Sequence, residues 1–120
     1  MRVLVCGSRH FTNLLQMKSI LQSIFDPDDT VTLIHGDATG ADKLSEEALT
    51  GYFHGGFVVQ RYPANWQKYG RAAGPIRNKQ MLDEGKPDLV IAFLAPNSRG
   101  TKNMIELAQA ANITVRIINV

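Results

Sequence analysis

Apolar residues fall in short dense runs separated by longer stretches where they recur every three or four positions. The runs at Arg2–Cys6, Val31–Ile34, Phe57–Arg61, Asp88–Ala92 and Thr114–Ile118 are rich in β-branched side chains and predict five strands. Between them the spacing predicts helices over Leu14–Phe25, Gly40–His54, Pro75–Glu84 and Thr101–Ala111. In the first, Leu14, Leu15, Met17, Leu21, Ile24 and Phe25 form most of an apolar stripe; in the last, Met104, Ile105, Ala108 and Ala111 do the same. Pro27 ends the first helix, Pro75 suits a first helical position, and Gly85 and Asn112 suit left-handed C-caps. Strands alternating with helices through short connections predict an α/β three-layer sandwich. Its sheet is mainly parallel, of about five strands, with helices on both faces.

A chain of 120 residues without repeats or a linker reads as one domain, residues 1–120. The 13 basic and 11 acidic residues leave a net charge of +2, too small to argue for a nucleic-acid coat or a membrane surface. One cysteine excludes an internal disulfide, the apolar run before Gly7 is short for a secretory signal, and no stretch has the ~18 apolar residues of a membrane span. A soluble cytoplasmic protein with no membrane partner is the expectation.

Ligands of open parallel sheets bind beyond the carboxyl ends of the strands. The segments there are Gly7 to His10, His35 to Gly40, Tyr62 to Arg77 and Phe93 to Thr101, all rich in glycine, hydroxyls or arginine; the opposite edge is poor in them. Gly7, Ser8 and Arg9 form a small anion-binding turn, or else a tight turn with an exposed arginine. Gly36, Asp37, Thr39 and Gly40 open a helix whose amides face the pocket. Asp37 is expected to face a ligand; Asp42, at capping-box spacing from Thr39, is expected to be mainly structural.

In the long connection, Trp66, Arg71, Gly74, Arg77 and Asn78 supply a stacking surface and cationic groups, with Tyr69 beside them; the two aromatics serve equally well as caps on the core. With Pro75 as the first helical residue, Arg77 lies in the first turn, where the helix dipole disfavours a cation. Arg99 and Lys102, around Gly100 and Thr101, repeat that conflict, with Ser98 or Thr101 as N-cap. Two helix starts with basic residues where acids belong point to a shared anionic guest.

No Walker A run and no G-x-G-x-x-G fingerprint is present, so neither common cofactor motif applies and no cofactor is expected. His35 beside Asp37 lacks a third spaced ligand for a metal, and His10 and His54 show no partners. Cys6 reads as a core thiol at a strand end. No catalytic residue is identifiable.

Gly7-Ser8-Arg9, the run from His35 to Asp42, Pro63-Ala64-Asn65-Trp66, Gly74-Pro75-Ile76-Arg77-Asn78 with Met81, and Gly100-Thr101-Lys102-Asn103-Met104 together resemble the YspA-like branch of the SLOG superfamily. The superfamily includes the LOG phosphoribohydrolases and the DNA-processing protein DprA. The resemblance implies a Rossmann-like fold binding a nucleotide or nucleotide-derived ligand such as ADP-ribose or an NAD derivative, often as a sensor, and a homo-oligomer. It also implies two other functions: cleavage of a nucleotide N-glycosidic bond, and single-stranded nucleic-acid binding through Trp66, Tyr69, Arg61, Lys68 and Arg71. LOG enzymes carry an acid in a GT-x-x-E segment. Here that position is Met104, and Glu106 lies about 200° around the helix from it.

Overall fold

The computed structural model describes residues 1–120. Five strands, β1 (Arg2–Gly7), β2 (Thr32–His35), β3 (Val58–Arg61), β4 (Leu89–Leu94) and β5 (Thr114–Asn119), form one sheet in the order β3-β2-β1-β4-β5. Every neighbouring pair is parallel. Five helices accompany them: α1 (Leu14–Ile24), α2 (Ala41–Leu49), α3 (Trp66–Tyr69), α4 (Ala73–Gly85) and α5 (Arg99–Ala110). None is long and apolar enough to cross a membrane.

The sheet divides the core in two because successive side chains of a strand point to opposite faces. Val3 and Val5 of β1, Leu33 of β2, and Leu89, Ile91 and Phe93 of β4 pack with Met17 and Leu21 of α1 and Ala48 and Leu49 of α2. Leu4, Cys6, Ile34, Val90 and Ala92 point the other way, against Met81 and Leu82 of α4 and Met104, Ile105 and Ala108 of α5. The two strands with unbroken apolar runs, β1 and β4, are central and covered on both faces, as parallel sheets require. The predicted α/β three-layer class is therefore observed, with a wholly parallel sheet.

Most strand and helix ends shift by one or two residues from the sequence reading, α5 starting at Arg99 rather than Thr101 and β4 running on to Leu94, and the larger differences have physical causes. The second helix stops at Leu49, not His54, because Gly51 takes φ +80°; Tyr52 and Phe53 still pack onto the core from the turn, which is why the apolar pattern runs on. The connection from Tyr62 to Gly74 is not irregular throughout. It holds α3, capped by the Asn65 side chain, and a single 3₁₀ turn over Gly70–Ala72. That turn leads directly into α4, which therefore starts at Ala73 rather than Pro75. Pro75 is the third helical residue, still in the first turn where a missing N–H is tolerated, and Arg77 lies beyond that turn. Finally, Gly85 is the last residue of α4, where a Cβ would press on Ile34 at 3.1 Å from its Cδ1, and Lys86 takes the left-handed position.

Candidate functional site

Strands β2 and β3 lie on one side of β1 and β4 and β5 on the other, so the strand order reverses between β1 and β4. Beyond the carboxyl ends of those two strands lies a cleft of about 820 Å³. Gly7, Ser8 and Arg9 reach it from β1, Trp66 and Arg71 from the α3 region, Gly74, Arg77 and Asn78 from α4, and Arg99, Gly100 and Thr101 from α5. A smaller hollow of about 270 Å³ adjoins it, bounded by Gly36, Asp37, Thr39, Pro63 and Ala64 and sharing Arg9, Ala38, Trp66 and Arg77 with the cleft. All the predicted site residues except Gly40 line one or both spaces.

Several of them are occupied in holding the walls together. The Ser8 N–H donates to the Phe93 carbonyl, and the Ser8 carbonyl accepts from Ala41 N at the start of α2. A Cβ on Gly7 would lie 2.7 Å from Phe93 and 2.8 Å from Ala41 Cβ, so glycine there permits the close approach of β1, β4 and α2. Gly40 lines neither space; its φ of +81° lets α2 start directly against the Ser8 and Arg9 carbonyls. The Asn78 amide is fully spent, donating to Gly100 O (3.2 Å) and Asn103 Oδ1 (3.0 Å) and accepting from Arg77 Nε (3.1 Å), which ties α4 to α5. Arg77 donates Nη1 to Gly36 O (2.6 Å) and Tyr62 O (3.3 Å). Burial lowers its pKa from the usual arginine range, and nearby Asp42 opposes that shift.

Other groups are open to the cleft. Ser98 occupies the N-cap of α5, yet its hydroxyl accepts from Ala95 N instead of capping the helix. The amides of Gly100 and Thr101 donate to no protein oxygen. By contrast, Asn13 and Asn65 cap α1 and α3 with their side chains. Arg9, Arg71 and Arg99 are exposed at the rim, and the Arg9 guanidinium sits 5.0 Å from the centre of the Trp66 ring. Trp66 and Tyr69 remain 47% and 40% exposed, so neither caps the core.

Sequence reasoning underweighted two features. Asp42 supports the loop, but not through a capping box with Thr39: its Oδ2 accepts from Gly36 N (3.1 Å) and Ala38 N (3.2 Å). It is the only carboxylate lining the cleft. Burial raises its pKa, opposed by the Ala38 N–H, His35, Arg77 and the Gly36 N–H. The second is a chain of contacts behind the smaller hollow. Fully buried His35 accepts from Asp37 N at Nδ1 (2.9 Å), which leaves Nε2–H to donate to Glu46 Oε1 (2.8 Å). Arg61 adds a two-point pair to the same carboxylate. The pairings span 11 and 15 residues, so no local spacing announces them. Burial pushes the Cys6 thiol up, as befits a core residue, and it lies within β1 rather than at its end. Exposed His54 does have a partner, Asp28 at 2.7 Å. Met104 is fully buried and Glu106 is exposed outside the cleft, so α5 brings no acid to it.

The bonds from Arg61 and then His35 bring the Glu46 pKa down to about 2. A carboxyl whose folded pKa lies below its unfolded value of 4.5 stabilises the fold above that pH and loses the contribution as pH falls toward 2. Solvent screening holds the effect near 1 kcal/mol. Glu46→Gln is expected to lower the urea-unfolding free energy by about that much at pH 7, and by progressively less toward pH 2. A constant difference across this range would show that the ion pair contributes nothing.

The 820 Å³ cleft lies at the strand-order reversal, the position where open parallel sheets commonly hold ligands, and the sequence has a curated relative. The gene 61 protein of Mycobacterium phage D29 is 31% identical over 117 residues, covering 95% of this chain and 93% of that protein. The chain belongs to the gene 61 protein family. No protein-family model matches the sequence. Among solved structures, the gene 61 family fold overlays on DNA processing protein A (DprA) from Streptococcus pneumoniae with a TM-score of 0.71 and 18% identity. The overlay covers 97% of this chain and 49% of that one, so the chain spans about half the length of DprA. The likeness is one of fold. The C-terminal domain of PF1911 hydrogenase from Pyrococcus furiosus overlays with a TM-score of 0.47 and 16% identity, covering 98% of this chain and 90% of that one.

Proposed function

We propose that the cleft binds a nucleotide or nucleotide-derived ligand through its phosphate, as a sensor or binding module of the YspA-like SLOG type. The observation that carries this reading is the start of α5, where the Gly100 and Thr101 amides are unspent although a capping serine stands beside them. Arg99 crowds that same helix end, and Arg9, Arg71 and Arg77 share the cleft with it. A helix N-terminus carries about half a positive charge, so cations gathered there repel it and one another unless an anion lies between them. Trp66, on the wall common to both spaces, offers a face for a base.

Thermal denaturation with AMP, ADP, ADP-ribose and NAD, each at millimolar concentration, tests the proposal. A ligand at 100 times its dissociation constant adds about 2.7 kcal/mol of stability. Unmoved melting with every one of these compounds would refute it.

A second reading is single-stranded nucleic-acid binding. It is favoured by exposed Trp66 and Tyr69 beside Lys68 and Arg71, with Lys68 Nζ 5.1 Å from the Tyr69 ring centre. Arg61 does not join that surface freely, being engaged by Glu46. A gel shift that weakens steeply with salt would support this reading over a small-molecule site.

A further inference from the structure

The cleft has a cationic rim and an acidic floor, and the floor is what sets its ligand class. Asp42 is 6% exposed, while Arg9, Arg71 and Arg99 around it are exposed. Its Oδ2 is taken by the Gly36 and Ala38 amides. Its Oδ1 has no partner among the protein's hydrogen bonds, yet no buried side-chain oxygen is left without one. Oδ1 therefore keeps an open surface, and the open space that Asp42 borders is the cleft. A carboxylate acceptor below an anion-binding rim repels phosphate and rewards a hydrogen-bond donor. The ligand must then present an anion to the exposed arginines and a donor to the buried carboxylate.

Resting on the nucleotide reading of this site, we propose that Asp42 accepts a ribose hydroxyl, making the cleft selective for ribonucleotides over deoxyribonucleotides and bare phosphate. The sugar carries the donors nearest a nucleotide's phosphate, and the more exposed Trp66 is left for the base. The same carboxylate shapes the loop through one oxygen and reads the ligand through the other. Asp37 borders only the smaller hollow.

The test compares binding of AMP, 2′-deoxy-AMP and 3′-deoxy-AMP to wild type and to Asp42→Asn by calorimetry. An asparagine keeps an oxygen for the Gly36 and Ala38 amides and turns an NH₂ donor toward the cleft, while its lost charge affects all three ligands alike. A hydrogen bond to a charged acceptor corresponds to roughly tenfold or more in affinity. Wild type is expected to bind AMP at least about tenfold more tightly than one of the deoxy compounds, and Asp42→Asn to bind the three within about twofold of one another. Equal binding of all three by wild type overturns the ribose assignment and leaves the nucleotide reading standing. Discrimination undiminished from the wild-type ratio in Asp42→Asn also overturns it, since a neutral amide bonds a hydroxyl more weakly than a carboxylate does. Binding of none of them removes the nucleotide reading, and this inference with it.

Discussion

Replacing Gly40 with alanine is expected to lower the stability of the domain by about 3 kcal/mol or more, on the order of 10–15 °C in melting temperature for a chain of this size. Gly40 combines φ +81° with ψ −132°, a region closed to L side chains. A Cβ there would collide with the Ser8 carbonyl oxygen and lie 2.5 Å from the Arg9 carbonyl, and these are backbone atoms that cannot rotate away. Relief requires α2 to lift from the Ser8–Arg9 turn, which breaks the bond from Ala41 N to Ser8 O. That movement also displaces Arg9 from the cleft, so a surviving fraction of folded protein is expected to bind ligand poorly. Gly55→Ala, at a position with open space around it and no positive φ, supplies the control and is expected to change stability by less than about 0.5 kcal/mol. Indistinguishable thermal midpoints for the two variants would refute the account of Gly40.

Arg77→Ala is expected to cost about 2 kcal/mol of stability and at least about tenfold in nucleotide affinity. Its guanidinium joins the carbonyls of Gly36 and Tyr62, which follow neighbouring strands, to the Asn78 side chain, and half of this region is buried. Truncation leaves these acceptors short of a donor and removes the arginine charge that opposes the rise of the Asp42 pKa. Arg77→Lys keeps the charge but not the fork, and is expected to recover part of the affinity while remaining unstable. Urea unfolding and calorimetry on the same preparations separate the two losses. Full stability with weakened binding would show that the carbonyl contacts are idle; full binding with reduced stability would show the reverse.

Read from sequence alone, Arg77 is a cationic group near a helix start, facing a ligand. What the letters omit is that Gly36 leaves room for the guanidinium: a Cβ there would lie 2.6 Å from Arg77 Cζ. The contact spans 41 residues and depends on how α4 is seated against β2. By the same logic, the layers and the sheet were legible because the alternation of Val3, Leu4, Val5 and Cys6 between two faces is a local property. The gathering of Arg9, Arg71, Arg77 and Arg99 at one sheet edge was legible too, since parallel topology sends every strand-to-helix loop to that edge. The start of α4 was not, because Pro75 is tolerated anywhere in a first turn and the preceding 3₁₀ turn carries no periodic signal. The structural role expected of Asp42 holds, but its partners and those of His35 were not legible: they are backbone amides of the intervening loop and Glu46 on α2, which no local spacing announces.

Trp66 is the sole tryptophan, and a guanidinium rests over its ring at the wall between the two hollows. The protein thus carries an unlabelled optical reporter at its own doorway. Any guest that slides between indole and arginine must change the emission of that one fluorophore, so occupancy and its kinetics can be followed in the native chain.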